Sequence, residues 1–224
     1  MSEPKQKDAD WFVAWDYTSK ERWASYYHQL DGICQKRPSN VLEVGAGNGI
    51  VAALLRHMGF YCITCDILPS LRPSVAGSVV ALPFRSHSFE MVSCCEVLEH
   101  LPYDLFRTAL GELQRVSQRW VQISLPDSRR AYPVSITLPK LGHFSKILSP
   151  PRYLQGREKL CDEHYWEIGC PLYSIERVVL DLRASGFQIV RSYRVPEIPY
   201  HHFFILEKST LSANHANDSS LQNK

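Results

Sequence analysis

Residues Val41-Leu-Glu-Val-Gly-Ala-Gly-Asn-Gly49 decide how the rest of this chain is read. A short apolar strand runs into a glycine turn, and a helix-like stretch follows from Ile50 to His57. Few tasks need a backbone stripped of side chains at the carboxyl end of a strand. The usual one is to let a nucleotide-like cofactor press against the main chain.

The spacing narrows the cofactor. A dinucleotide fingerprint, Gly-x-Gly-x-x-Gly, would place its third glycine where this chain has Ile50; here the glycines are Gly45, Gly47 and Gly49. Glu43 stands two positions before the first glycine. A carboxylate there would repel a pyrophosphate and suits a ligand with a free ammonium group. Asp66 closes the next strand-like run, Tyr61–Cys65, about 20 residues after the glycines, where an acid accepts hydrogen bonds from ribose hydroxyls. A tight strand–helix turn in any α/β protein would explain the glycines, but neither acid. Together the three features resemble the class I (seven-β-strand, Rossmann-like) S-adenosylmethionine-dependent methyltransferases of the small-molecule type.

A second stretch strengthens the resemblance. Ala81-Leu-Pro-Phe84, then Ser88-Phe-Glu-Met-Val92, then Glu96-Val-Leu-Glu-His100-Leu are similar to the text around the fourth strand of that family. The resemblance implies that Gly45, Ala46, Gly47 and Gly49 cradle the cofactor and that Glu43 and Asp66 meet its ammonium and ribose. It implies that backbone near Ala81 and Leu82 meets the adenine edge, with Leu82, Ile67 and Leu68 on the ring faces. Carbonyls at Cys95-Glu96 would accept from the ammonium. Two positions depart from the pattern: Ser78 lies where an acid often holds the adenine amino group, and Glu90 replaces an aspartate.

The 224 residues suit one domain with a sizeable core. Net charge is +2, which gives no general argument for nucleic acid. No apolar run is long enough for a membrane span, and the first residues are too polar for a signal peptide. Seven cysteines, several in apolar strand-like runs, suggest reduced thiols and a cytoplasmic protein. Cys62/Cys65 and Cys94/Cys95 fall in core strands, where cysteine acts as a small hydrophobe, so no metal site is expected.

Strands alternate with helices, so the expected fold is an α/β, Rossmann-like open sheet with helices on both faces. Expected strands are Asn40–Val44, Phe60–Asp66, a short Ser78–Ala81, Met91–Cys95, Trp120–Leu125, Phe187–Val195 and His202–Lys208. The last two are joined by too few residues for a crossover, so one strand near the C-terminus is antiparallel. Expected helices are most of 11–33, Ile50–His57, Pro102–Ser117 and Ser174–Ala184. Residues 1–34 form a tail and cofactor-covering helices, 35–208 the methyltransferase domain, and 209–224 a tail of disorder-prone composition.

The acceptor is harder to read. Residues 126–172 are too long for an ordinary strand–helix link and are expected to be an irregular substrate lid. From Asp127 to Lys159, seven basic residues face two acids, a field that suits an anionic acceptor. His164, in Asp162-Glu-His-Tyr-Trp-Glu-Ile-Gly169, is the leading candidate for a general base, with His100 second. His100 can equally hold its loop by bonding to backbone. Trp15 and Tyr17 are candidates to close over the cofactor.

The expected function is methyl transfer to a small-molecule or glycan-like acceptor, with oxygen favoured. A nucleic-acid or protein acceptor is the alternative. Against nucleic acid, Ser93-Cys-Cys-Glu-Val97 lacks the Asn/Asp-Pro-Pro-Tyr/Phe turn of amino-methylating enzymes. A non-catalytic interaction module would not need Glu43, three glycines and Asp66. The sequence does not fix the oligomeric state.

Overall fold

A computed structural model describes residues 8–14, 17–150 and 162–209. The elements run α1 (Ala9–Val13), α2 (Lys20–Lys36), β1 (Asn40–Val44), α3 (Ile50–His57), β2 (Tyr61–Asp66), β3 (Val75–Ala76), β4 (Phe89–Cys95), α4 (Phe106–Val116), β5 (Ser117–Pro126), β6 (Tyr132–Leu138), β7 (Gly142–Leu148), α5 (Ile175–Ala184), β8 (Phe187–Val195) and β9 (Ile198–Lys208). Seven strands form one sheet in the order β3-β2-β1-β4-β5-β9-β8. β1 to β5 are parallel, and β9 runs against both its neighbours.

Strand alternation divides the core. Val41 on β1 packs with Tyr26 and Ile33 of α2 and Val51, Ala52 and Leu55 of α3. Leu42 and Val44 point to the other face, against a larger cluster with Phe106, Leu110 and Leu113 of α4 and Val178 and Leu182 of α5. The helices bury matching stripes. On α4 these are Phe106, Ala109, Leu110, Leu113 and Val116, one face at helical spacing. Ser19 caps α2 and Ser174 caps α5, each accepting the N–H three residues on. The chain order turns back between β1 and β4, and a crevice beyond the carboxyl ends of such strands is where open α/β sheets bind ligands.

Four local expectations change. The third strand is Val75–Ala76, paired with Cys65 and Asp66. Residues 78–81 instead make a turn closed by a Ser78–Ala81 bridge. Their apolar character serves the core, because Val79 and Leu82 fold back into it. The helix after β4 starts at Phe106, since Tyr103–Leu105 is a 3-10 turn. Within 126–172, expected to be irregular, residues 132–148 form a separate hairpin, β6–β7, with Ile136 opposite Phe144. The alternation Tyr132-Pro-Val-Ser-Ile-Thr-Leu138 carries the strand signal, obscured by Pro133 within it and Pro139 just after it. The last hairpin also turns tighter than expected, with Val195 opposite Ile198.

Residues 1–7, Trp15, Asp16, 151–161 and 210–224 lie outside the described residues, including Arg152, Tyr153, Arg157, Glu158 and Lys159 of the expected lid. No helix among the described residues is long and apolar enough to cross a membrane.

At the carboxyl end of β5, a buried acid fastens three segments. Asp127 accepts two bonds from Arg129, at 2.8 and 2.6 Å, and one from Nδ1–H of His202 at 3.0 Å. Arg194 reaches the carbonyls of Asp127 and Arg129. Burial pushes the Asp127 carboxyl up, but bonds from Arg129 and His202 and the charges of Arg129 and Arg194 outweigh it and hold the acid at about 2. His202 itself is pushed down by burial despite Asp127, so it serves as a neutral donor. A folded pKa below the ordinary carboxylate value means stabilisation that is present above about pH 4 and lost as pH falls toward 2. The linked contribution is roughly 2 kcal/mol. Denaturant unfolding of the wild type and Asp127→Asn from pH 5 to pH 2 should show the stability gap between them shrinking by about that amount. A gap independent of pH would contradict the charged network.

Candidate active site

The glycine turn sits at the crevice. Gly45, Gly47 and Gly49 all have left-handed φ, of 73°, 53° and 72°. A Cβ on Gly45 would lie 2.2 Å from Cγ2 of Val97, the second residue after β4. The turns after β1 and β4 therefore meet with no room for a side chain. At Gly47 the neighbours are Phe12 and Tyr17, 3.5 and 3.9 Å from a built Cβ, so the N-terminal segment lies directly over the turn. Tyr17 packs edge-on to Trp11 and Phe12 and under the Arg22 guanidinium; burial pushes its phenol up to about 12. Trp15 lies outside the described residues. A cleft lined by Gly47, Asn48, Ser70, Leu71 and Arg72 opens between the turn and the loop after β2, with Ala9 and Asp10 at its rim.

Two acids flank the turn. Glu43 is buried on the α3 side, and its Oε2 has no hydrogen-bond partner among the described residues. Burial raises its carboxyl to about 8, against weaker opposing effects of the Ala52 N–H and Arg56. Asp66 closes β2, its Oδ2 accepting from Gly47 N–H and its Oδ1 from Leu68 N–H, both at 3.0 Å. It thus holds the glycine turn in shape. The region around Ala81 differs from expectation. Leu82 is buried in the core and cannot lie on a ring face. Its N–H donates to Glu112 Oε2 at 2.7 Å, and the Ala81 N–H donates to the Ser78 carbonyl. Both backbone donors expected to reach an adenine edge are therefore committed elsewhere. Ile67, 59% exposed, is the apolar side chain left facing outward beside Asp66.

Beyond β4 the chain places a dense polar group. Glu96 has φ 55°, a strained conformation for a non-glycine. Its Oε1 accepts from Ser124 Oγ at 2.7 Å, and its Oε2 lies 3.4 Å from His201 Nε2. Glu99 is fully buried with neither carboxylate oxygen bonded among the described residues, and burial followed by Glu96 raises its pKa well above the usual range.

Distant segments then converge on this turn. Tyr165 N–H donates to the Glu99 carbonyl at 2.9 Å, His100 Nδ1 to the Glu163 carbonyl at 3.0 Å, and Trp166 Nε1 to the Leu101 carbonyl at 3.1 Å. Trp166 is fully buried and edge-on to Tyr103 and Phe106. Burying so large a ring supplies the favourable free energy that the short polar contacts lack. The result brings His100 and His164 together, ring centroids 4.9 Å apart. His164 Nδ1 donates to Glu167 Oε1 at 2.9 Å, and Tyr200 Oη donates to the same oxygen at 2.6 Å. His100 therefore holds its loop by a backbone bond and also faces the other candidate histidine.

Residues 15–192, most of the chain, match the family described as methyltransferase domain. The chain belongs to the methyltransferase-domain family. The methyltransferase is an enzyme that takes its methyl group from S-adenosylmethionine. No curated protein matches it. Its fold is that of several solved structures. One is 1,6-didemethyltoxoflavin-N1-methyltransferase of Burkholderia thailandensis, crystallised with 1,6-didemethyltoxoflavin and S-adenosylhomocysteine (18% identity, 89% of this chain and 83% of that chain, TM-score 0.57). Others are magnesium protoporphyrin IX methyltransferase of Synechocystis PCC 6803 with bound S-adenosylhomocysteine (15%, 90% and 98%, 0.56) and the PH0226 protein of Pyrococcus horikoshii OT3 (14%, 91% and 100%, 0.60). At these identities the likeness is one of fold.

The residues present fit the cofactor. The methyltransferase keeps an unpartnered buried carboxylate oxygen on Glu43 and a side-chain-free turn at Gly45–Gly49, the two features a cationic nucleoside ligand needs. Reading the sequence missed Glu99, Glu167, Tyr200 and His201 as members of the site. The spacing Glu96-x-x-Glu99-His100 and the i, i+3 pair His164/Glu167 are the local signals that could have raised them.

The glycine geometry makes a graded expectation. Gly45→Ala combines a left-handed φ with the Val97 clash and should cost well over 1 kcal/mol together with cofactor affinity. Gly49→Ala, with nothing within 4 Å, should cost only about 1 kcal/mol. Thermal unfolding and calorimetry with S-adenosylhomocysteine check this, and equal effects at both positions would contradict it.

Proposed function

We propose that this enzyme methylates an oxygen of a small or glycan-like acceptor carrying negative charge. The observation that carries the reading is the pair His100 and His164 at the carboxyl end of the sheet. Both have Nδ1 tied to protein acceptors, which leaves each Nε2 as a lone-pair nitrogen. When bound, S-adenosylmethionine supplies a methyl group on a sulfonium, and the sulfur departs as a neutral thioether once an acceptor lone pair takes that methyl.

The chain's own residues then have three tasks. Glu43 meets the positive end of the cofactor, and Asp66 meets its ribose while bracing Gly47. The imidazoles handle the acceptor's hydroxyl proton: His164, oriented by Glu167 and Tyr200, has a nitrogen free to receive it. Positioning and water exclusion do most of the remaining work in such a displacement. We read 126–172 as the lid. In support, Tyr132, Val134, Ile136, Leu138, Phe144 and Leu148 share one side of the β6–β7 hairpin and are exposed, and Lys140 and Lys146 add positive charge there. Arg129 is bound to Asp127 and is not part of that surface. A cytoplasmic site of action suits the free, largely buried cysteines.

Glu43 gives a linkage test. Its folded pKa, about 8 in the free protein, leaves it mostly protonated at pH 7. A bound cation favours the carboxylate, so binding should release about one proton at pH 7 and should tighten as pH rises toward 8. Calorimetry with S-adenosylmethionine in buffers of differing ionisation heat measures the release, and Glu43→Gln should abolish it. Release that persists in the variant would remove Glu43 from this role.

The acceptor class is tested by screening metabolite and glycan pools for radiolabelled methyl transfer. Anionic hydroxyl compounds should label, and His164→Ala should slow the reaction by about 10²–10⁴ with little change in cofactor affinity. Labelling confined to neutral or nitrogen acceptors would overturn the proposal.

A further inference from the structure

The polar group beyond β4 contains more than a proton transfer requires. Glu99 is fully buried, and neither oxygen has a hydrogen-bond partner among the described residues. A buried carboxylate without a partner is strongly unfavourable unless something supplies positive charge. One ligand atom from each of Glu99, His100 and His164 lies within 4.8 Å of the other two, and His100 Nε2 stands 3.9 Å from Glu99 Oε1. That is too long for a hydrogen bond, so His100 does not satisfy the acid.

Both imidazoles are held as metal-ligating histidines are held, with the far ring nitrogen donating to a carbonyl or carboxylate. His100 Nδ1 donates to the Glu163 carbonyl, and His164 Nδ1 to Glu167, itself steadied by Tyr200. Each Nε2 keeps its lone pair. Glu96 is outside the set, because its oxygens meet Ser124 and His201. On the open side, the His100 side chain is 47% exposed, which leaves a path for a water or an acceptor oxygen.

The geometry points to Glu99, His100 and His164 as a binding site for one divalent cation of the first transition row, with open coordination positions for the acceptor's oxygen. Two imidazoles and one carboxylate suit zinc, iron, cobalt or nickel, whereas magnesium and calcium favour all-oxygen sets. Ligand atoms at about 2.1 Å from one cation stand roughly 3 to 3.5 Å apart, so the set must draw in by about 1 Å. The inference rests on the acceptor-site reading above only for its purpose. It refines that reading: a hydroxyl bound to the cation loses its proton to solvent more readily, and the imidazoles act as ligands rather than bases.

The test is a titration of the full chain with Co²⁺, followed by visible absorption and by competition with Zn²⁺, beside calorimetry with S-adenosylhomocysteine. The wild type should bind one equivalent of Co²⁺ with ligand-field bands, displaced by Zn²⁺. Glu99→Gln and His100→Ala should each weaken binding at least ten-fold, and Glu167→Gln should weaken it by about ten-fold through His164, all with unchanged binding of S-adenosylhomocysteine. His100 is half-exposed, so its variant carries the test if Glu99→Gln does not fold. A folded wild type that binds S-adenosylhomocysteine but neither metal would overturn the site. So would Co²⁺ binding indifferent to both Glu99→Gln and His100→Ala. Metal binding at these residues without S-adenosylhomocysteine binding supports the cation site while removing the cofactor reading.

Discussion

The contact of Val97 with the bare backbone of Gly45 sets the geometry of this enzyme's site. It draws together the turns that leave β1 and β4, the two neighbours at which the sheet reverses its order. A single methyl group on Gly45 would part them. With the turns in contact, Glu43 and the glycines at the end of β1 lie beside the stretch after β4 that carries Glu96, Glu99 and His100. The close meeting of the two turns takes left-handed backbone at Gly45 and Glu96.

The site also keeps unpartnered buried acids where an ordinary core would not. Glu43 and Glu99 are both buried, and both have carboxylate oxygens without partners. Asp127, equally buried, is surrounded by Arg129, Arg194 and His202 and stays ionised. The contrast separates two uses of a buried acid. Asp127 fastens strands and loops to each other. Glu43 and Glu99 have no such partners, the pattern that separates candidate binding groups from structural ion pairs.

The histidine pair depends on long-range packing. Trp166 anchors residues 163–166 on the turn after β4, and that anchoring turns two separate histidines into a facing pair. The antiparallel strand β9, between β5 and β8, then adds Tyr200 and His201. Three segments distant in sequence meet within a few ångströms.

The sequence by itself determined the fold class and the backbone around the glycine turn. The strand–turn–helix at 41–57, the two acids at 43 and 66 and the alternation of strands with helices are local patterns, and local spacing sets backbone conformation directly. It did not determine the site of the third strand, the Leu82 side chain or the hairpin at 132–148, because each depends on which apolar residues find the core. Nor could it join Glu99, His100, His164, Glu167 and Tyr200. Those residues are spread over a hundred positions, and only the burial of Trp166 and the return of β9 beside β5 bring them within bonding distance.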